Sequence, residues 1–272
     1  MQLIYHLSKK KKNSMKNKQS SFWLSASAQS LNQGLGLGHK FIKLSKANFW
    51  HPFLADYFLG IRNGISLFNP QMTRKNLLKA FFLLGLILQD GGHILIVNTN
   101  AEFYTIGNNL KLLVSTHLRK LSHIKKRPIN TNSSLSYCYY KWVGGTLTNW
   151  KQVSKSVLTF ARFSEKCESF LIENNLEFPR YKKVKNSFEG LLYRNQGQLT
   201  LTFKEKPDLI FIVNPNENSS LLSEAAKLHI PVIALTESDT NIKNITYPIP
   251  INSYSAGMIY YFLKKITKMS SF

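Results

Sequence analysis

The stretch GGHILIVNT, Gly91–Thr99, decides the fold. Gly91 and Gly92 break whatever precedes them, and Ile94–Val97 is then apolar without alternation, the pattern of a strand covered on both faces. The same signature returns in PDLIFIVNP, Pro207–Pro215, and IPVIALT, Ile230–Thr236. Around these runs the period changes. Apolar residues recur at three and four in TRKNLLKAFFLLGLILQD, Thr73–Asp90, and NSSLLSEAAKLH, Asn218–His229, which predicts helices. Further helices are expected over 101–122 and 253–268. IRNGISLFN, Ile61–Asn69, reads as a short turn and strand, and SLSYCYYKW, Ser134–Trp142, as a strand-like run of aromatics. YPIPIN, Tyr247–Asn252, suits an edge strand, where prolines are tolerated. Strands alternating with helices predict right-handed crossovers and an open, mostly parallel α/β sheet. The segment 151–206 differs in being rich in Lys, Glu and Phe and poor in β-branched residues, and is expected to project as a helical hairpin.

Charge narrows the partners. The chain of 272 residues carries a formal charge of +22, far more than solubility needs, and self-repulsion on that scale calls for a polyanion. Only Asp56, Asp90 and Glu102 precede Glu165, and Phe103–Ser164 contains no carboxylate while holding Lys111, Arg119, Lys120, Lys125, Lys126, Arg127, Lys141, Lys151, Lys155 and Arg162. A solvated face mixes signs, so a one-sign run of this length suits contact with phosphates.

Cys138 and Cys167 lack a CxxC or a His at zinc spacing, and support neither a disulfide framework nor a metal site. The apolar run from Leu77 is interrupted by Lys79 and too short to cross a bilayer, so a packed helix is expected there. An anionic membrane surface would also meet the charge, but dispersed cations favour one large folded RNA, and no membrane partner is expected. The opening MQLIYHLSKKKKNSMKNKQSS is basic and acid-free, which fits either a mitochondrial transit peptide or a flexible RNA-binding tail.

An enzyme is the rival reading, because open α/β sheets bind small molecules and nucleotides at the carboxyl ends of their strands. GLGLGHK, Gly34–Lys40, fails the spacing of a Walker loop and has His39 where a dinucleotide fingerprint needs Gly. The loops NTNAEF, NPNENSS and TESDTN lack a nucleophile elbow, a phosphate cradle or a metal-spaced His pair. Glu237 and Asp239 are the remaining acid–base candidates, and two carboxylates in a polar loop are ordinarily solvated. No cofactor, catalytic residue or small-molecule substrate is expected.

Several blocks together carry a family likeness: GHK at Gly38, WHPFLADYFLGIRNGI from Trp50, GGHILIVNT, KWVGGTLTNW from Lys141, PDLIFIVNPN, and AAKLHIPVIALTESDTN through YPIP. In this order they resemble the universal small-subunit ribosomal protein S-two family. The resemblance implies a flavodoxin-like, three-layer, mostly parallel sheet in one domain over 34–272, with a helical hairpin inserted at about 152–205 and a flexible basic extension over 1–33. It also implies a structural, non-catalytic constituent of the small ribosomal subunit, binding its rRNA between head and body beside neighbouring ribosomal proteins. Departures such as His51, Asn98, Asn100 and Lys141, and a more basic loop before YPIP, look more like a mitochondrial member, placed in the matrix, than a bacterial or plastid one.

The candidate RNA-binding residues are His39, Lys40, Arg62, Asn63, Lys141, Trp142, Gly144, Gly145, Thr148 and Asn149. Arg offers a fork matched to phosphate oxygens, and the Gly pair lets a backbone turn sharply and approach another surface. Lys141 can meet a phosphate, while Thr146, Thr148 and Asn149 can hydrogen-bond phosphate or ribose. Trp142 can stack on a base or anchor the turn, and Thr148 or Asn149 can cap the next helix.

Overall fold

The computed structural model describes residues 37–40, 52–100, 135–174, 178–195, 198–201, 206–253 and 255–270. The extension over 1–33 and the helix expected over 101–122 lie outside them.

The first elements are β1 (Leu37–Lys40), β2 (Phe58–Arg62) and β3 (Ile65–Phe68), an antiparallel sheet with β3 in the middle. The expected turn and strand are therefore a full hairpin. Asn63 and Gly64 both have positive φ, 52° and 74°, the pairing that matches a tight two-residue turn to strand twist. GLGLGHK contributes a strand here.

Helix α1 (Pro70–Gln89) starts earlier than its apolar period marks. The Asn69 side chain accepts from the Gln71 amide at 3.0 Å, and Pro70 fills a first-turn position where an N–H would have no partner. It stops at the glycine pair. Gly91 takes φ 76°, its amide donates to Leu88 O, and the Gly92 amide donates to Ile87 O at 2.8 Å. A Cβ on Gly92 would lie 2.7 Å from Ile87 Cγ2 and 2.9 Å from Asp208 Oδ2.

β4 (Ile94–Asn98) then pairs in parallel with β5 (Leu135–Tyr139). The expected hairpin follows as α2 (Trp150–Glu173) and α3 (Pro179–Phe188), but it is not wholly helical. A 3-10 turn over Glu189–Leu191 leads into an antiparallel pair, β6 (Leu192–Asn195) and β7 (Gln198–Leu201). The strands are too short to show a period, and their pairing sets Leu192 opposite Leu201, both against the core.

The chain returns to the main sheet through β8 (Leu209–Ile212), α4 (Ser219–Lys227), β9 (Val232–Thr236), β10 (Tyr247–Pro250) and α5 (Ala256–Ser270). Five parallel strands lie in the order β10-β9-β8-β4-β5, with the proline-bearing β10 at an edge. The sheet is the middle of three layers. Ile94, Ile96, Leu209, Phe211, Val213, Ile233 and Leu235 face α1 and α5, meeting Leu77, Phe81, Leu84, Phe262 and Ile266. Leu95, Val97, Ile210, Ile212, Val232 and Ala234 face the other way, toward α2 and α4, meeting Val157, Ala161, Leu221 and Ala225. Unbroken apolar runs are thus the alternation of a strand with two dry faces.

Candidate nucleic-acid interface

Two exposed turns carry most of the residues singled out by the sequence. In the first, Arg62 ends β2 and Asn63 forms the turn, both exposed. Arg62 pairs with Ile65, and Ile65 pairs with Lys40, so the backbone positions of Lys40 and Arg62 share one row on either side of β3. His39 precedes Lys40 in β1. One end of the small sheet therefore gathers positions that lie far apart in sequence.

The second turn, Lys141–Asn149, is organised from behind by a residue the sequence did not single out. Glu224 of α4 is buried, and its carboxylate accepts four hydrogen bonds from the turn. The Trp142 indole N–H donates to Oε1 at 3.3 Å and the Gly145 amide to Oε1 at 2.8 Å. The amides of Leu147 and Thr148 donate to Oε2 at 2.9 and 3.3 Å. Converging backbone N–H groups on one carboxylate hold a loop far more firmly than neutral hydrogen bonds would. Gly145 takes φ 83°, which a side chain would strain, so the glycine is required for the amide to point inward.

Latching the back of the loop decides what its front presents. Lys141, Gly144, Thr148 and Asn149 are exposed, whereas Trp142, Thr146 and Leu147 are buried. No ring face of Trp142, 5 % exposed, is left for a base, so the stacking expectation gives way to the anchoring one. Thr146 is likewise turned inward, its hydroxyl donating to Val143 O. Asn149 holds the N-cap position of α2 with its carbonyl accepting from the Val153 amide at 3.1 Å, and a Cβ on Gly144 would meet open space. The front is a strip of small and polar groups beside one lysine.

A signal for Glu224 was present in the sequence. It falls on the apolar stripe of Leu221, Leu222 and Ala225, where a carboxylate must find donors.

At the carboxyl ends of the central strands, where an open sheet would hold a ligand, polar side chains tie the loops to one another. Thr99 donates to Glu217 at 3.1 Å, Asn218 donates to Thr99 and to Asn214 O, and Asn216 donates to Asp239 at 3.1 Å. Asn98 donates to the Tyr137 hydroxyl, whose pKa burial raises well above the usual phenol range. Glu237 is not solvated as expected. It is buried and accepts from the Ser253 amide at 3.2 Å and hydroxyl at 2.5 Å, fastening the loop after β9 to the segment after β10. Asp239 is exposed. Among the described residues no cluster of His, Cys, Asp or Glu could hold a metal ion, and no helix is long and apolar enough to cross a membrane.

Comparison with known proteins adds an independent line. The family model of ribosomal protein S2 matches residues 31–271. A small ribosomal subunit protein uS2m of Marchantia polymorpha is 34% identical over 220 residues, covering 78% of this chain and 80% of the relative. Small ribosomal subunit proteins uS2 of Rhodospirillum centenum and Paracoccus denitrificans are 27% and 28% identical, covering 82% and 85% of this chain and 75% and 77% of the relatives.

Proposed function

The chain belongs to the ribosomal protein S2 family, and from that premise we propose that it is a structural constituent of the small ribosomal subunit of mitochondria, acting in translation by binding small-subunit rRNA. The carrying observation is the family match over 31–271, joined to a mitochondrial relative that aligns along most of both chains. We assign the protein no reaction. Its place is between head and body of the subunit, in the matrix, against neighbouring ribosomal proteins.

The RNA contacts assigned to it are made by backbone-reading groups. Lys141, Gly144, Thr148 and Asn149 form one strip, Lys40, Arg62 and Asn63 another with His39 beside them, and Gly145 shapes the first strip from within. Trp142 serves as its anchor. Dispersed cations and small polar groups suit a large folded RNA read through phosphates and riboses. If about eight phosphates are engaged, affinity should fall with salt at a log–log slope of about minus six to minus seven.

The test is sedimentation of a mitochondrial lysate in magnesium, locating this chain before and after RNase. Co-migration with the small subunit that RNase abolishes is the expected result, and a slow, RNase-insensitive peak would overturn the reading. Replacing Lys40, Arg62 and Lys141 together by Glu should block incorporation while the purified chain still unfolds cooperatively; normal incorporation would remove those residues from the interface.

A further inference from the structure

The outer face of α2 is a surface that the two turns do not use. Helical spacing puts Gln152, Lys155, Ser156, Thr159 and Phe163 along one exposed side, with Lys151 and Arg162 beside them. No carboxylate occurs from Trp150 to Ser164, so the exposed charges of this stretch are all positive. Phe163 is 57 % exposed and Phe170, two turns further on, is equally so. A shallow groove of about 530 Å³ runs along the face, lined by Gln152, Lys155, Ser156, Thr159, Phe160 and Phe163.

The aromatic rings are held in place. Phe160 packs on Tyr181 and Phe188 of α3 at 5.9 and 5.3 Å between centroids, and Phe163 meets Tyr181 edge-on at 6.4 Å. Phe163 is thereby oriented while much of it remains in solvent. A helix that exposes a fixed phenyl ring among cations and hydrogen-bonding side chains has the two parts of a single-strand site: an electrostatic track for the backbone and a platform for a base. A duplex would use the cations and leave the ring idle, because its bases are already stacked.

We propose that this face of α2 binds single-stranded RNA, with Lys151, Lys155 and Arg162 on phosphates, Gln152 and Thr159 on base edges or riboses, and an unpaired base stacked on Phe163. The track ends beyond Phe163, where Glu165, Glu168 and Glu173 restore negative charge around Phe170. The proposal rests on the ribosomal reading only in taking RNA as the polymer within reach; its surface starts where Asn149 caps α2 and uses none of the residues assigned to the strips around Arg62 and Lys141.

The experiment is fluorescence anisotropy of the purified full-length chain with a fluorescein-labelled oligouridylate about twelve nucleotides long. Phe163→Ala should weaken binding roughly tenfold, and Phe170→Ala, among carboxylates, much less. Arg162→Glu, at an exposed position, should weaken it at least as much and steepen no thermal transition. Arg62→Gln with Lys141→Gln, which removes two charges without reversing them, should weaken oligouridylate binding less than either Phe163→Ala or Arg162→Glu does, yet reduce incorporation into the subunit. Unchanged affinity in the Phe163 and Arg162 variants would overturn the proposal, as would an equal loss in the Arg62 and Lys141 variant. Ultraviolet cross-linking of isolated small subunits reads the same point in the assembly. Nucleotide attached to the peptide containing Phe163 supports the proposal, and attachment of that peptide to a protein alone overturns it. Absence of the chain from the subunit would instead defeat the ribosomal reading, so the two failures are separable.

Discussion

The central sheet and the hairpin that leaves it obey opposite rules. Leu209–Val213 is fully buried, with each successive side chain entering a different core. Among the described side chains of α3 none is buried, and α2 sends Phe163 and Phe170 into solvent. Burial alone accounts for the sheet. The hairpin buries only one side of α2, through Val157 and Ala161; its two helices are held to each other by the Phe160 cluster and the Lys185–Glu168 ion pair at 2.7 Å, and Gly190 closes on β5 at its root. The hairpin leaves large apolar rings to solvent, as α1 does at Phe82, whereas the strands of the central sheet leave none.

Substitutions can press on that difference, and the harshest should fall where the two regions join. A Cβ on Gly190 would lie 1.8 Å from Tyr139 O, so Gly190→Ala must displace either the hairpin root or the edge strand. A loss of about 4 kcal/mol or more is expected in chemical denaturation; a change under about 1 kcal/mol would mean the root adapts freely. Next comes the sheet. Phe211→Ala, with the ring fully buried between α1 and α5, should cost about 3–5 kcal/mol. Phe163→Ala should cost less than about 1 kcal/mol, since its ring is mostly wet. Equal losses at the two phenylalanines would erase the contrast.

Glu224→Ala sits between these extremes. It leaves the Gly145, Leu147 and Thr148 amides without their acceptor, and should cost about 3 kcal/mol. Thermal unfolding and RNA binding should fall together, because the loop loses its shape as well as its support. A variant that unfolds earlier but binds RNA as before would show that the latch is not what arranges the front of the loop.

The smallest effect should be seen with pH. Burial, followed by the hydrogen bond to Glu168, pushes the Tyr181 hydroxyl up to about 12. Its folded pKa is above the ordinary 10.0, so the neutral phenol contributes stability below pH 10.0 that is lost as pH rises toward 12. Tyrosinate absorbance should show late-titrating groups, with buried Tyr137 among them, and Tyr181→Phe should remove one of these while the ring contacts to Phe160 are kept.

The sheet was legible because its strands are dry on both faces and their loops are punctuated by Gly, Pro and Asn. The Asn63–Gly64 hairpin was legible for a related reason: its turn chemistry is local. β6 and β7 were not, since their pairing depends on Leu192 and Leu201 reaching the core rather than on a period within either strand. The candidate strip around Lys141 was found as a stretch but not as a mechanism. Trp142 could face either way until Glu224 fixed it, and Glu237 was misjudged because its donor lies beyond β10, past the next strand. What sequence reasoning missed in each case was a partner distant along the chain.

That distance also bears on biogenesis. Glu224 follows Gly145 by 79 positions. On a growing chain the loop emerges first, then the hairpin and β8, and only afterwards the carboxylate that closes it. Until then its amides have no fixed orientation and Trp142 no anchor. The front of the loop is therefore finished late in synthesis, although its own residues are made near the midpoint. A chain released before α4 lacks β9, β10 and α5 as well, so the loop takes its shape only in a chain whose sheet is also complete.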